Sequence, residues 1–260
     1  MLDDLPNKSC DDKNIIFQQQ REHYAIKVCE NDSYRWLTLG SDFVQSLIRL
    51  SEPENVLLPY VRSMLLTFAF KQEPLRVLNL GYGCGTFERF IFKYFPRTSV
   101  TSVEPNIEII NVSRKYFYIP SDYPVINKSA DEFLKRNKTK YDIIFCDIHD
   151  GKTHPDFLYD SSFYSNIMRC LNDDGVVVIN LIPASEKELL NVLLAVRKVF
   201  CWQQLLDFDN YGNILLYIHM QEPRALHADD AIFEELKNRP TIDLTDIIDR
   251  LVLLSTAEKF

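Results

Sequence analysis

Glycine is scarce in this chain: seven in 260 residues, and three of the seven fall within positions 81–85. A residue used so sparingly and then clustered marks a place where the backbone turns tightly or lets something approach closely. The six cysteines (Cys10, Cys29, Cys84, Cys146, Cys170 and Cys201) include no Cys-x-x-Cys pair. That absence argues against a zinc site, and the scatter reads as reduced thiols, not a disulfide framework. No apolar run reaches the length of a membrane-spanning helix. The N-terminus, Met1-Leu-Asp-Asp-Leu-Pro6, lacks the basic-then-apolar order of a signal peptide. The expectation is therefore a cytoplasmic protein without a membrane partner. Positive charge is in deficit: 29 Lys and Arg against 37 Asp and Glu give a net charge of −8. This argues against a nucleic-acid partner and mildly favours a cationic substrate, although a solvated acidic surface also explains it. There is no internal repeat and no low-complexity segment.

The clustered glycines lie inside the most informative stretch. Arg76-Val-Leu-Asn-Leu80 reads as a buried strand, Gly81-Tyr-Gly-Cys-Gly85 as a turn, and Thr86–Tyr94 as a helix. Ser99–Val103 then forms a second buried strand that ends in Glu104. In open α/β sheets ligands sit at the carboxyl ends of strands, where this turn and this acid both lie. Glu104 follows Gly83 by 21 positions, close to the spacing at which an acid reaches the ribose hydroxyls of a nucleoside. A dinucleotide fingerprint would place Gly or Ala where the chain has Thr86, so the expected ligand is an adenosyl-sulfonium such as S-adenosylmethionine. The competing reading is an ordinary strand–helix turn beside an exposed Glu104.

The alternation of elements sets the fold class: an α/β, Rossmann-like sheet preceded by a small antiparallel β-domain at 14–50. Tyr24–Glu30 and Tyr34–Leu39 alternate across a turn at Asn31-Asp-Ser33 and predict a hairpin, with a third short strand beginning at Phe43-Val44. Pro59 suits the first turn of a helix. From residue 76 onward, predicted strands at Arg76–Leu80, Ser99–Val103, Val125–Lys128, Tyr141–Cys146 and Val176–Leu181 alternate with helices. These helices span Thr86–Tyr94, Ile107–Tyr116, Ala130–Arg136, Ser162–Leu171 and Glu186–Val199. Gln203–Asp207 and Ile214–His219 are too close for a crossover and predict an antiparallel pair at the sheet edge. The nucleoside-binding domain is expected to span 55–220. Residues 221–260 read as two amphipathic helical stretches separated by Pro240, a packing or dimer-contact appendage.

The loop Asp147-Ile-His-Asp150-Gly-Lys-Thr-His-Pro155 leaves the carboxyl end of a central strand. Asp147 and Asp150 there can hold an ammonium group, and one can take a proton from an attacking amine. Asp147 alternatively caps a turn. His149 and His154 lack further ligands that would complete a metal site, so no metal is expected. Cys84, beside a helix N-terminus, reads as a small side chain in a crowded turn more readily than as a nucleophile. Ser129-Ala-Asp131 is placed to meet an adenine edge, and equally to cap the following helix. Tyr159, Tyr164 and Lys152 read as pocket, core or solvated residues with equal ease.

These residues together resemble the spermidine synthase family. Tyr24-x-Ile-x-Val28, Arg35-x-Leu37-x-Leu39 and Gln45-Ser46 are similar to its N-terminal β-region. Arg76–Thr86 resembles its glycine motif, Val103-Glu104 its ribose-binding acid, and Tyr141-Asp-Ile-Ile-Phe-Cys-Asp147-x-x-Asp150 its catalytic loop. Phe163-Tyr164 and Leu171-x-x-x-Gly175 follow in register. The resemblance spans roughly residues 20–220 and is carried by the conjunction of motifs. It implies a class I methyltransferase-like domain behind a β-domain, often as dimers, moving an aminopropyl group from decarboxylated S-adenosylmethionine to putrescine. By position it implies that Gly81, Gly83 and Gly85 cradle the nucleoside and that Glu104 binds ribose. Ser129 would meet the adenine, and Asp147 would hold and deprotonate the amine with help from Asp150. The chain departs from the family where Cys84 replaces an Asp, where Ser129 replaces an Asp, and where Asp147-Ile-His-Asp150-Gly replaces Asp-Ser-Ser-Asp-Pro. Those departures leave two rivals: a methyltransferase on the same fold using S-adenosylmethionine itself, and a non-catalytic family member that binds nucleoside or protein.

Overall fold

The computed structural model describes residues 12–22, 24–40, 44–71, 73, 75–149, 154–208, 211–237 and 244–254. Strands β1 (Ile15–Gln20), β2 (Ala25–Glu30), β3 (Tyr34–Leu39) and β4 (Val44–Arg49) form a four-stranded antiparallel sheet in sequence order. The β2–β3 turn forms because the Asn31 side-chain oxygen accepts from the backbone N–H groups of Ser33 and Tyr34, at 3.0 and 2.7 Å. Ile26, Val28, Leu37 and Ile48 point from this sheet onto Ile109, Val112 and Phe117. The predicted hairpin is present, whereas β1 was not anticipated. Its last three residues are glutamines and every second position is exposed, so its pattern is that of a half-solvated edge.

Helix α1 (Pro59–Met64) opens with Pro59 in its first turn and continues into a 3-10 turn, Leu65–Phe70. There follow β5 (Arg76–Leu80), α2 (Thr86–Tyr94), β6 (Ser99–Val103), α3 (Ile107–Tyr116), β7 (Val125–Ile126), α4 (Ala130–Arg136) and β8 (Tyr141–Cys146). The chain goes on through α5 (Ser161–Arg169), β9 (Leu171–Leu181), α6 (Glu186–Arg197), β10 (Trp202–Phe208) and β11 (Asn213–His219). It closes with α7 (Ala231–Lys237), α8 (Thr245–Ile248) and β12 (Val252–Leu254). Side-chain oxygens of Asn106, Ser129, Asp160 and Ser185 cap α3, α4, α5 and α6. Among the described residues no helix is long and apolar enough to cross a membrane.

The large sheet has eight strands in the order β12-β10-β11-β9-β8-β5-β6-β7. Strands β7, β6, β5, β8 and β9 are mutually parallel, and β11 enters antiparallel beside β9. Strand order reverses at β5, whose neighbours β6 and β8 lead away in opposite directions, and a crevice opens there at the strand ends. The apolar runs serve both faces. Val77, Ile143, Phe145 and Val178 join one buried cluster, and Leu78, Ile144, Cys146 and Val177 join the other.

Four expectations need correction. Strand β9 starts at Leu171, not Val176, and takes in the Asn172–Gly175 run. Asn172 donates to Asp142 Oδ1 at 2.6 Å and Leu171 pairs with Tyr141, which draws these polar residues into the sheet. The β10–β11 hairpin is not the sheet edge, because β12 pairs with β10 on its outer side. The C-terminal stretch accordingly holds two short helices and a strand. Phe233, Leu236, Leu244 and Ile247 from those helices are buried in the first cluster. Finally, Cys29 is disulfide-bonded, while Cys84, Cys146, Cys170 and Cys201 are free thiols.

Candidate active site

Gly81, Gly83 and Gly85 all adopt positive φ, at 90°, 54° and 72°, yet each for its own reason. A Cβ on Gly81 would stand 2.0 Å from the backbone oxygen of Asp147, so glycine here is what lets the ends of β5 and β8 approach. A Cβ on Gly85 would strike the Ile119 side chain at 2.5 Å. At Gly83 the nearest atom would be Ser46 Oγ, 3.6 Å away, so the space beside this residue is open. Gly81 and Gly83, but not Gly85, line a cavity of about 350 Å³. It lies between the glycine turn, the β3–β4 sheet, the segment leading into α1 and the ends of β6 and β8.

Glu104 closes one side. Its Oε2 accepts the N–H of Gly83 at 3.1 Å and its Oε1 accepts the N–H of Asn106 at 3.0 Å. Burial raises its pKa while both backbone bonds oppose that shift. A carboxylate has about four lone-pair sites, so each oxygen keeps capacity for a further donor such as a hydroxyl. Asn106 also donates to the Tyr24 hydroxyl at 3.0 Å and ties this corner to the N-terminal sheet.

Asp147 closes the other side. Its backbone N–H donates to Leu80 O at 3.0 Å, continuing the β5–β8 pairing. Its Oδ1 accepts from Asn180 Nδ2 at 2.9 Å, and Asn180 Oδ1 accepts from Asn213 Nδ2 at 2.9 Å. Burial raises the Asp147 pKa and the Asn180 bond opposes the rise. Tyr60 stands close enough that the charge of Asp147, after burial itself, keeps its phenol protonated. The Tyr60 ring meets Tyr211 edge-on at 5.8 Å between centroids.

Glu104, Asp147, Gly81 and Gly83 thus converge on one cavity. Ser129 is not among its lining residues: its Oγ accepts from the Glu132 N–H at 3.3 Å and caps α4. Asp150 and Lys152 lie outside the described residues. His149 lines the cavity. His154 is buried with both ring nitrogens engaged: Nε2 accepts from the Ile182 N–H at 3.0 Å, so Nδ1 donates to Glu188 Oε1 at 3.0 Å. The Tyr159 hydroxyl donates to the same Glu188 oxygen. Tyr164 is a core residue whose hydroxyl donates to Leu158 O at 2.7 Å. Cys84 is buried, and burial pushes its thiol up to about 12. A buried, protonated thiol is a poor nucleophile at neutral pH. Residues that sequence reasoning missed are Asn180 and Asn213 behind Asp147, and the apolar wall of Leu57, Leu58, Val61 and Phe87.

Comparison with known proteins bears on the family and the fold. Residues 60–203 match the family model of the spermine/spermidine synthase domain. The polyamine aminopropyltransferase of Chromobacterium violaceum is 27% identical over 233 residues, covering 87% of this chain and 88% of that protein. A probable spermidine synthase from Corynebacterium glutamicum superposes with a TM-score of 0.72 at 20% identity, covering 92% of this chain and 90% of that one. Human methyltransferase-like protein 13, solved in complex with SAH, superposes with a TM-score of 0.62 at 19% identity, covering 73% of this chain and 99% of that one.

Proposed function

Within the spermine/spermidine synthase family, to which this chain belongs, we propose that the protein transfers an aminopropyl group from decarboxylated S-adenosylmethionine to an amine acceptor. One observation carries the choice of donor. Two acids, Glu104 and Asp147, line the cavity, and no Lys or Arg is among its described lining residues. Intact S-adenosylmethionine would bring a carboxylate into this acidic, partly buried space with no Lys or Arg among the described lining residues to meet it, which is costly. The decarboxylated form brings only cationic groups.

In this reading Glu104 binds the ribose hydroxyls and Gly83 allows the nucleoside to approach the turn. The acceptor nitrogen forms a bond to the carbon attached to sulfur. The C–S bond breaks with its electron pair going to sulfur, and neutral methylthioadenosine leaves. Asp147 takes the proton released by the new secondary ammonium. Burial makes Asp147 a better base than an exposed carboxylate, and Asn180 holds its orientation. Alignment of the two reactants supplies much of the rate.

Calorimetry with both donors tests the proposal. The decarboxylated form should bind at least tenfold tighter than intact S-adenosylmethionine, and Glu104→Ala should abolish binding of both while the protein stays folded. Tighter binding of the intact form, or binding of neither, would overturn it.

A further inference from the structure

At the Glu104 end of the cavity the N-terminal sheet contributes a hydroxyl. Tyr24 stands just before β2 and packs against the same buried cluster as Ile26 and Val28. It lines the cavity together with Glu104 and Asn106. Room for its side chain comes from the end of β3. A Cβ on Gly40 would lie 2.7 Å from Tyr24 Cβ, and Gly40 sits at a φ of 64° that glycine adopts freely. The hydrogen bonds around Asn106 fix how the Tyr24 hydroxyl can act. Asn106 Oδ1 accepts from the Glu108 N–H at 3.0 Å, so its Nδ2 is the atom that donates to the Tyr24 hydroxyl oxygen, also at 3.0 Å. The phenol therefore serves Asn106 as an acceptor and keeps its own proton to give. Among the described residues that proton has no acceptor. The backbone N–H of the same Asn106 meets Glu104 Oε1 at 3.0 Å. One residue thus holds an acceptor, Glu104, and a donor, the Tyr24 hydroxyl, at one corner of the cavity.

From this arrangement we propose that Tyr24 is a further nucleoside-binding residue, whose hydroxyl donates to a ribose oxygen while that ribose hydroxyl donates to Glu104. The inference rests on the reading of Glu104 as the ribose acid. A ribose hydroxyl has one proton and two lone pairs, and a carboxylate uses only the proton. Glu104 alone would accept any hydroxyl or amine donor. With Tyr24 beside it, the corner selects a group that donates and accepts at once, and the two bonds polarise each other. Tyr24 belongs to the N-terminal sheet and Glu104 follows β6 of the large sheet, so the bound ribose also joins the two sheets.

The test is calorimetry on the full chain with methylthioadenosine and its 2′-deoxy and 3′-deoxy analogues. These ligands are neutral and probe the nucleoside end alone. Wild type is compared with Tyr24→Phe, which keeps the ring and removes only the hydroxyl; an unchanged near-UV circular dichroism spectrum checks the fold. Tyr24→Phe should bind methylthioadenosine about three- to tenfold more weakly, the effect of one neutral hydrogen bond. With one of the two deoxy analogues the two proteins should bind equally, because the hydroxyl that Tyr24 serves is then missing. Equal affinity of wild type and Tyr24→Phe for methylthioadenosine would overturn the inference and leave the hydroxyl to water. A loss of the same size with all three ligands would overturn it equally, since Tyr24 would then act through Asn106 and the packing of this corner. Failure of the wild type to bind methylthioadenosine is a separate outcome: it removes the nucleoside reading itself, and this inference with it.

Discussion

Asn180→Ala is the perturbation whose outcome follows most directly from the geometry. Asn180 contributes a hydrogen bond to Asp147 Oδ1 and receives one from Asn213, each at 2.9 Å. The first is a bond to a group that must be ionised to act as base, and such bonds contribute about 1.5–3 kcal/mol. The second joins two neutral amides and contributes about 0.5–1.5 kcal/mol. Losing the first favours the protonated form of Asp147, because burial already pushes its pKa up and the Asn180 donor is what opposes this. At 1.36 kcal/mol per tenfold change, the ionised fraction below the pKa falls by about ten- to a hundredfold.

The sign gives the assay its shape. As the proposed base, Asp147 would work as a carboxylate, so kcat/KM is expected to rise with pH through its pKa. In Asn180→Ala that rising limb moves to higher pH. The deficit is therefore largest at low pH and closes as pH rises. Asn213→Ala leaves the Asn180–Asp147 bond in place and should shift the limb in the same direction by a smaller amount. The pH dependence of methylthioadenosine release in the three proteins measures all of this. A loss of equal size at every pH, or a limb that does not move, would refute the view that Asn180 tunes Asp147 and would leave it only a packing role.

Three further outcomes are expected. Gly81→Ala must displace the Asp147 backbone, since its Cβ would lie 2.0 Å from Asp147 O, and should lower Tm severely; Gly83→Ala has room and should cost about 1–2 kcal/mol for its left-handed backbone while weakening donor binding. A mild Tm effect at Gly81, or intact donor affinity in Gly83→Ala, would contradict these assignments. Alkylation at neutral pH followed by mass spectrometry should label exposed Cys201 and spare Cys84, whose thiol burial pushes up to about 12; rapid labelling of Cys84 in the folded protein would show otherwise. Glu88 is fully buried with a raised pKa, so the stability it contributes is present when it is protonated and is lost as pH rises through its folded pKa; Glu88→Gln should flatten the fall of Tm with rising pH, and a steeper fall would refute this.

The parts of the fold that were legible in the sequence are those where a local signal and the tertiary solution agree. Ile143-Ile-Phe-Cys146 is apolar throughout because both faces of β8 are covered, and Asn106, Ser129, Asp160 and Ser185 are cap residues acting as caps. Strand β12 was illegible because what makes Val252–Leu254 a strand is the free edge of β10, roughly 50 residues earlier. Ser129 shows how one residue type can satisfy two readings, since an adenine contact and an N-cap are both served by a short polar side chain.

The candidate site divides along the same line. Gly83, Glu104 and Asp147 were legible because each stands at a strand end, where ligands of open sheets bind. Asn180 was not, although a signal was present. A lone amide inside the apolar run Val176–Leu181 must find a buried partner, because an unsatisfied polar group there is costly. Asn79, inside Arg76–Leu80, carries the same signal. Its Nδ2 donates to Glu88 Oε1 at 2.9 Å, beneath the glycine turn, whereas Asn180 donates to the candidate base. In that first pair Asn79 Oδ1 and Glu88 Oε2 have no partner among the described residues, and one proton on Glu88 would serve both atoms if it lay between them. A polar residue in an apolar strand thus announces a buried partner without naming it. Residue 79 reaches a carboxyl that burial favours in its neutral form, and residue 180 reaches the carboxyl proposed as the base. That difference comes from the strand order, which sets β9 beside β8 and so places Asn180 next to the residue where β8 ends.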